Sequence, residues 1–120
     1  MKTRTPAEIT ALSGAELNEA VARADGWTML PDGEWQYYFS KSVLDFQVQA
    51  TVPDYTSGDL IDRMASEARI GIMSLYKTHR ETGTIIGMRY RAITASQVFW
   101  SESLTTAIQR AWLWWRQEKG

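Results

Sequence analysis

The sequence predicts an α+β fold: a mainly antiparallel sheet of four to five strands with helices packed on one or both faces, an α/β/α sandwich. Three observations predict it. The stretch from Ser101 to Lys119 carries an apolar arc at helical spacing that includes three tryptophans, Trp112, Trp114 and Trp115. Two earlier segments place apolar residues at the same spacing behind polar starts. Between these helices lie runs that alternate with a period of two. The order helix, two strands, helix, two or three strands, helix shows no internal repeat. It reads as one domain over residues 1–120, built in layers.

In chain order, Thr5-Pro6-Ala7-Glu8 has the form of a capping box with proline at the first helical position, and starts a short turn. Ser13-Gly14-Ala15-Glu16 is a second box. It opens a helix to about Asp25 with Leu17, Ala20, Val21 and Ala24 as its stripe. Gly26 is placed to end that helix in a left-handed conformation, and Trp27 folds back onto its end. After the turn at Pro31-Asp32-Gly33, Glu34–Ser40 reads as a strand with Trp35, Tyr37 and Phe39 on one face. In Val43–Ala50, Leu44, Phe46, Val48 and Ala50 alternate with Asp45, Gln47 and Gln49, which predicts one buried and one polar face. Pro53 stops it.

A second main helix is expected from about Ser57 to Ala68, with Leu60, Ile61, Met64, Ala65 and Ala68 inward. Arg69–Tyr76 and Thr84–Ile93 then read as a hairpin joined by Lys77–Gly83. The first of these strands is apolar on both sides, which predicts cover on both. Gln97–Trp100 either extends the sheet or leads into the last helix. In that helix Ser101 or Ser103 is the candidate cap, and Leu104, Ala107, Ile108, Ala111, Trp112, Trp114 and Trp115 form the arc. Trp112 and Trp115 are expected in the core. Leu113 is expected to point away from the arc, and this apolar surplus predicts a homo-oligomer contact.

Composition narrows the function. A formal net charge of −1 gives no electrostatic case for duplex nucleic acid or a membrane surface. There is no cysteine, so disulfides, thiolate metal sites and cysteine nucleophiles are excluded, in keeping with a reducing cytoplasm. The single histidine, His79, falls in a polar hairpin loop and reads as solvated rather than catalytic. Asp54, Asp59 and Asp62 lie close in sequence, but a turn and the first turn of a helix explain them without a metal. No glycine-rich phosphate cradle, signal-peptide core or membrane-length run is present. No enzyme, cofactor, catalytic residue or metal is expected.

Arginine beside aromatic rings is the remaining constellation. Arg89, Tyr90 and Arg91 lie in one strand, so Arg89 and Arg91 share a face about 7 Å apart. Arg110 stands four residues before Trp114, and Arg23 lies near Trp27. Guanidinium groups hold phosphates and aromatic rings stack bases, so Arg110, Trp114, Arg89, Arg91, Tyr90, Arg23 and Trp27 form a candidate site for a small nucleotide-like anion. The alternative is that these arginines serve ordinary structural pairs with some of the 14 carboxylates.

Leu12–Trp27, LSGAELNEAVARADGW, resembles the N-terminal helix and Gly-Trp ending of the phage ABA-sandwich domain family, which includes NinX-like small phage proteins. Pro53–Met64 resembles that family's segment entering its second helix. Ala107, Ile108, Arg110 and Ala111 match its closing-helix motif, whereas residues 69–100 depart from the pattern. The resemblance implies helix–sheet–helix layers and a protein of the cytoplasm of an infected or lysogenic bacterial host. By analogy with phage Thoeris anti-defence sponges of similar size, it implies a non-catalytic, oligomeric protein. Such a protein would sequester a cyclic ADP-ribose-type signal or a cyclic oligonucleotide. The other function in view is a small phage protein that binds a host or phage protein without any small ligand.

Overall fold

The computed structural model describes residues 3–40 and 45–119, with backbone alone at residues 39, 40 and 45. The expected strand start at Val43, Leu44 and the inward face of Phe39 therefore lie outside the described residues. Among the described residues the fold is α+β, with four helices and six strands. Two three-stranded antiparallel sheets stand where a single sheet of four to five strands was expected.

The capping boxes form as the sequence dictates. Helix α1 (Pro6–Ala11) starts with reciprocal bonds between Thr5 and Glu8, and α2 (Gly14–Ala24) with the same exchange between Ser13 and Glu16. Gly26, at φ 112°, ends α2. It is required twice over, since a Cβ there would come within 3.0 Å of the Tyr37 ring. Trp27 then folds back, its N–H donating to the Ala22 carbonyl.

The first sheet runs β1 (Thr28–Met29), β2 (Trp35–Ser40), β3 (Asp45–Gln49) in spatial order. Its register corrects the expectation for β3. Gln36 faces Val48 and Tyr38 faces Phe46, so Phe46 and Val48 share the outer side and are exposed. The inner side carries buried Trp35 and half-buried Tyr37 opposite Gln49 and Gln47. Alternation identified two faces correctly; it could not say which of them the helices cover.

Helix α3 (Gly58–Glu67) buries Ile61 and Met64. It ends at Arg69, the one non-glycine residue with positive φ among those described, at 51°. The Ile70 N–H returns to the Ala65 carbonyl across this left-handed residue. The second sheet follows: β4 (Gly71–Thr78), β5 (Ile85–Ile93) and β6 (Val98–Ser101), with β5 central. Gln97–Trp100 thus contributes a strand.

Helix α4 (Leu104–Lys119), capped by the Ser103 hydroxyl accepting from the Thr106 N–H, packs against α1, α2, α3, β5 and β6. Ala107, Ile108, Ala111 and Trp112 are fully or almost fully buried. Trp115 is only half-buried, with the Lys119 ammonium 4.8 Å from its ring centre, so its core assignment is corrected. Leu113 is corrected in the other direction. It is 2 % exposed, on the side where Gln109 reaches the Tyr55 carbonyl and α3 packs. A third helix thus covers what a one-arc reading left outside.

The apolar surplus lies instead on the β4–β5 hairpin. Every residue of β4 is exposed, contrary to the expected double cover, and β5 is exposed from Ile85 to Arg89. From Ile85 to Arg89, β5 has no β6 partner, and the hairpin projects there as an arm. The radius of gyration is 16.6 Å, against about 14 Å for a compact chain of this length, and the long dimension is 62 Å.

Two stability outcomes follow from this packing. Trp112→Ala should cost about 3–5 kcal/mol and Trp115→Ala clearly less, read as urea midpoints; equal losses would contradict the burial described. Arg69→Gly should raise stability by up to about 1 kcal/mol through relief of the left-handed backbone, and a lowered melting temperature would show that the arginine side chain outweighs it.

Candidate functional site

The β5–β6 register places Arg91 opposite Trp100, and Arg89 lies two residues along on the same face. Both guanidinium groups cover the Trp100 indole, at 5.0 Å for Arg89 and 5.7 Å for Arg91. Neither arginine has a carboxylate within ion-pair distance among the described residues. Arg91 is half-buried; its Nη2 reaches the Met73 sulfur at 3.2 Å, and its Nε is buried with no acceptor. These guanidinium groups are therefore held in position by stacking while retaining hydrogen-bonding capacity.

A groove of about 330 Å³ adjoins Arg89, lined by Leu75, Tyr76, Lys77, Gly87, Met88 and Glu102 as well. Its volume is at the small end for ligand sites, and its walls are mostly apolar. Lys77 and Arg89 supply positive charge, with Glu102 at the border.

Arg110 converges on the same tryptophan from the backbone side. Its Nη1 donates to the Trp100 carbonyl at 2.7 Å and its Nη2 to the Thr10 carbonyl at 3.3 Å. Partial burial lowers its pKa from the ordinary arginine value, and its Nε is buried without a partner. Arg110 thus ties β6 and α1 to α4. Trp114 lies elsewhere on the helix, its indole N–H donating to the Ser96 hydroxyl, which in turn donates to Glu118.

The other sequence candidates stand apart. Tyr90 points to the opposite face of β5 from its arginine neighbours, and its hydroxyl lies 2.8 Å from the Met88 sulfur. Arg23 is exposed, pairs with Glu19 one turn back and covers the Trp35 ring at 5.0 Å. Trp27 is buried against Tyr37. Among the described residues no three histidine or acidic side chains are grouped to hold a metal ion.

Trp100 is the central residue that the sequence reading missed. Its signal was the apolar run Val98-Phe99-Trp100 in the segment read as a possible strand, but its meeting with Arg91 depends on a pairing register that spacing alone does not fix. A second missed group is buried Tyr55. Its hydroxyl donates to Asp25, which also accepts from Arg63 at 2.9 Å. Burial, followed by the Asp25 carboxylate, raises the Tyr55 pKa strongly, so the phenol stays neutral. The Asn18 amide holds the same loop by donating to the Pro53 carbonyl and accepting from the Tyr55 N–H. This arrangement anchors the loop against α2 and α3.

Comparison with protein-family models, curated proteins and solved structures finds no match to this chain.

Removing the Arg110 side chain breaks two charge-assisted bonds to carbonyls. Arg110→Ala should therefore lower stability by about 1.5–3 kcal/mol, measured by urea denaturation. An unchanged midpoint would free Arg110 from this structural duty.

Proposed function

We propose that the protein is a non-catalytic binder of a small nucleotide-derived anion, with Arg89, Arg91 and Trp100 as the centre of its site. The observation that carries this reading is the pair of guanidinium groups stacked on one indole, with no carboxylate within ion-pair distance of either among the described residues. A structural arginine is commonly paired. Two arginines held by stacking, Arg91 also by the Met73 sulfur, offer donors to phosphate oxygens, and the neighbouring apolar groove suits a base or ribose. Lys77 adds a further cation at the groove. The resemblance to small phage proteins supplies the setting: sequestration of a cyclic ADP-ribose-type or cyclic oligonucleotide signal, released unchanged, in the cytoplasm of an infected host.

A second reading, a phage protein that binds a host or phage protein without a small ligand, is favoured by the exposed apolar side chains of β3 and the arm.

The two readings part in a thermal-shift panel of cyclic mono- and dinucleotides and cyclic ADP-ribose isomers. On the first, at least one member raises the melting temperature and is recovered chemically unchanged after heat denaturation. Arg89→Ala and Arg91→Ala should each weaken that ligand by about ten- to a hundredfold in calorimetric titration, with little change in the melting temperature of the free protein. If no member binds, or if the ligand is turned over, the sequestration reading falls.

A further inference from the structure

We propose that the β4–β5 arm is a self-association element, and that its uncharged face closes against the same face of a second copy across a twofold axis.

Cross-strand pairs assign the two faces of the arm. Met73–Arg91, Leu75–Arg89 and Lys77–Gly87 share one face, which carries the arginine site. Ile72–Ala92, Ser74–Tyr90 and Tyr76–Met88 share the other. That second face continues the core. At its base Ala92 and its β6 partner Phe99 are buried, and α4 packs against both strands there. Ile72, opposite Ala92 on the edge strand, is already 47 % exposed, and further out the same stripe has Met88 37 % and Tyr76 60 % exposed.

The exposed area is large enough for one partner. The chain exposes 7777 Å². A compact monomer of 13.7 kDa exposes about 6,600 Å², so roughly 1,200 Å² is left over. A specific interface of ordinary size takes about 800 Å² from each partner. The excess is thus enough for one such contact.

Charge selects which face meets which. The site face bears Lys77, Arg89 and Arg91, and two copies of it would repel. The second face has no charged residue among Ile72, Ser74, Tyr76, Met88, Tyr90 and Ala92, so self-pairing brings no like charges together. An isologous contact needs this kind of self-compatible patch. Joining the open β4 edges alone would leave the stripe in water, whereas stacking the faces covers it. Arg89 and Arg91 remain on the outside of such a dimer, whereas Tyr76 and Met88, which also line the groove beside Arg89, are covered, so the contact borders the proposed ligand site but needs no ligand to form.

Sedimentation equilibrium of the full chain tests this directly. The expected mass is twice 13.7 kDa across the micromolar range. Ile72→Lys combined with Met88→Lys should raise the dissociation constant at least about a hundredfold, whereas Leu75→Lys on the site face should leave it within a few-fold. Because the chain has no cysteine, Ser74→Cys provides a second readout that does not rest on a charged variant folding. A bismaleimide of moderate length should link two copies through position 74, and Leu75→Cys should not link. A monomer at every concentration overturns the proposal. So does a dimer or larger assembly that is linked through position 75 and not through position 74.

Discussion

The burial of α4 is the constraint on which the remaining structure depends. It packs against three helices and two strands, and each contact fixes a different part of the chain. Ala107 and Ala111, with no exposed area, allow close approach, while Trp112 supplies the largest fully buried side chain. The indole N–H of Trp112 is buried without an acceptor, which forfeits part of the stabilisation that the ring contributes. Polar residues on the helix flanks then set the geometry. Gln109 holds the Tyr55 loop, Arg110 holds β6 and α1, and Gln117 exchanges two bonds with the Arg4 backbone. The base of the arm is positioned through this helix as well, since Ala92 and Phe99 are buried in strands that pack on it.

The helices were legible because their signals are local. A capping box, a stripe at helical spacing and a glycine at the end each act within a few residues, and all recur in the structure at nearly the expected positions. Strand faces were legible as alternation, but not as inside and outside. Phe46 and Val48 alternate correctly and still face water, because register with β2 turns them to the side opposite Trp35. Leu113 failed for the converse reason: its position is decided by α3 and the Tyr55 loop, which no reading of one helix contains. In the candidate site, the shared face of Arg89 and Arg91 follows from strand geometry. Their meeting with Trp100 required the β5–β6 pairing, and the task of Arg110 required tertiary contacts to carbonyls.

One hairpin thus presents two chemistries on its two sides. Cations stacked on an indole occupy one side, and an uncharged apolar stripe occupies the other. A two-residue period makes this separation simple to encode, since alternate positions belong to different faces and can change independently. It also explains why β4 looked doubly buried from sequence. Apolar residues on both sides of a strand indicate two surfaces with apolar character, and here neither is covered by the chain itself.

The arm's separation from the body also has an optical consequence. All six tryptophans, Trp27, Trp35, Trp100, Trp112, Trp114 and Trp115, lie outside residues 71–89, where Tyr76 is the one residue of Phe, Tyr or Trp type. Indole emission therefore reports the body together with the Arg89 and Arg91 contacts on Trp100, and is nearly blind only to fraying of the hairpin beyond Arg89, towards its turn. Local opening of that hairpin would be visible by amide exchange, or by tyrosine introduced and observed against it, while the tryptophan signal stayed native. A single smooth fluorescence transition would describe the body alone, and would not establish that the whole chain unfolds in one step.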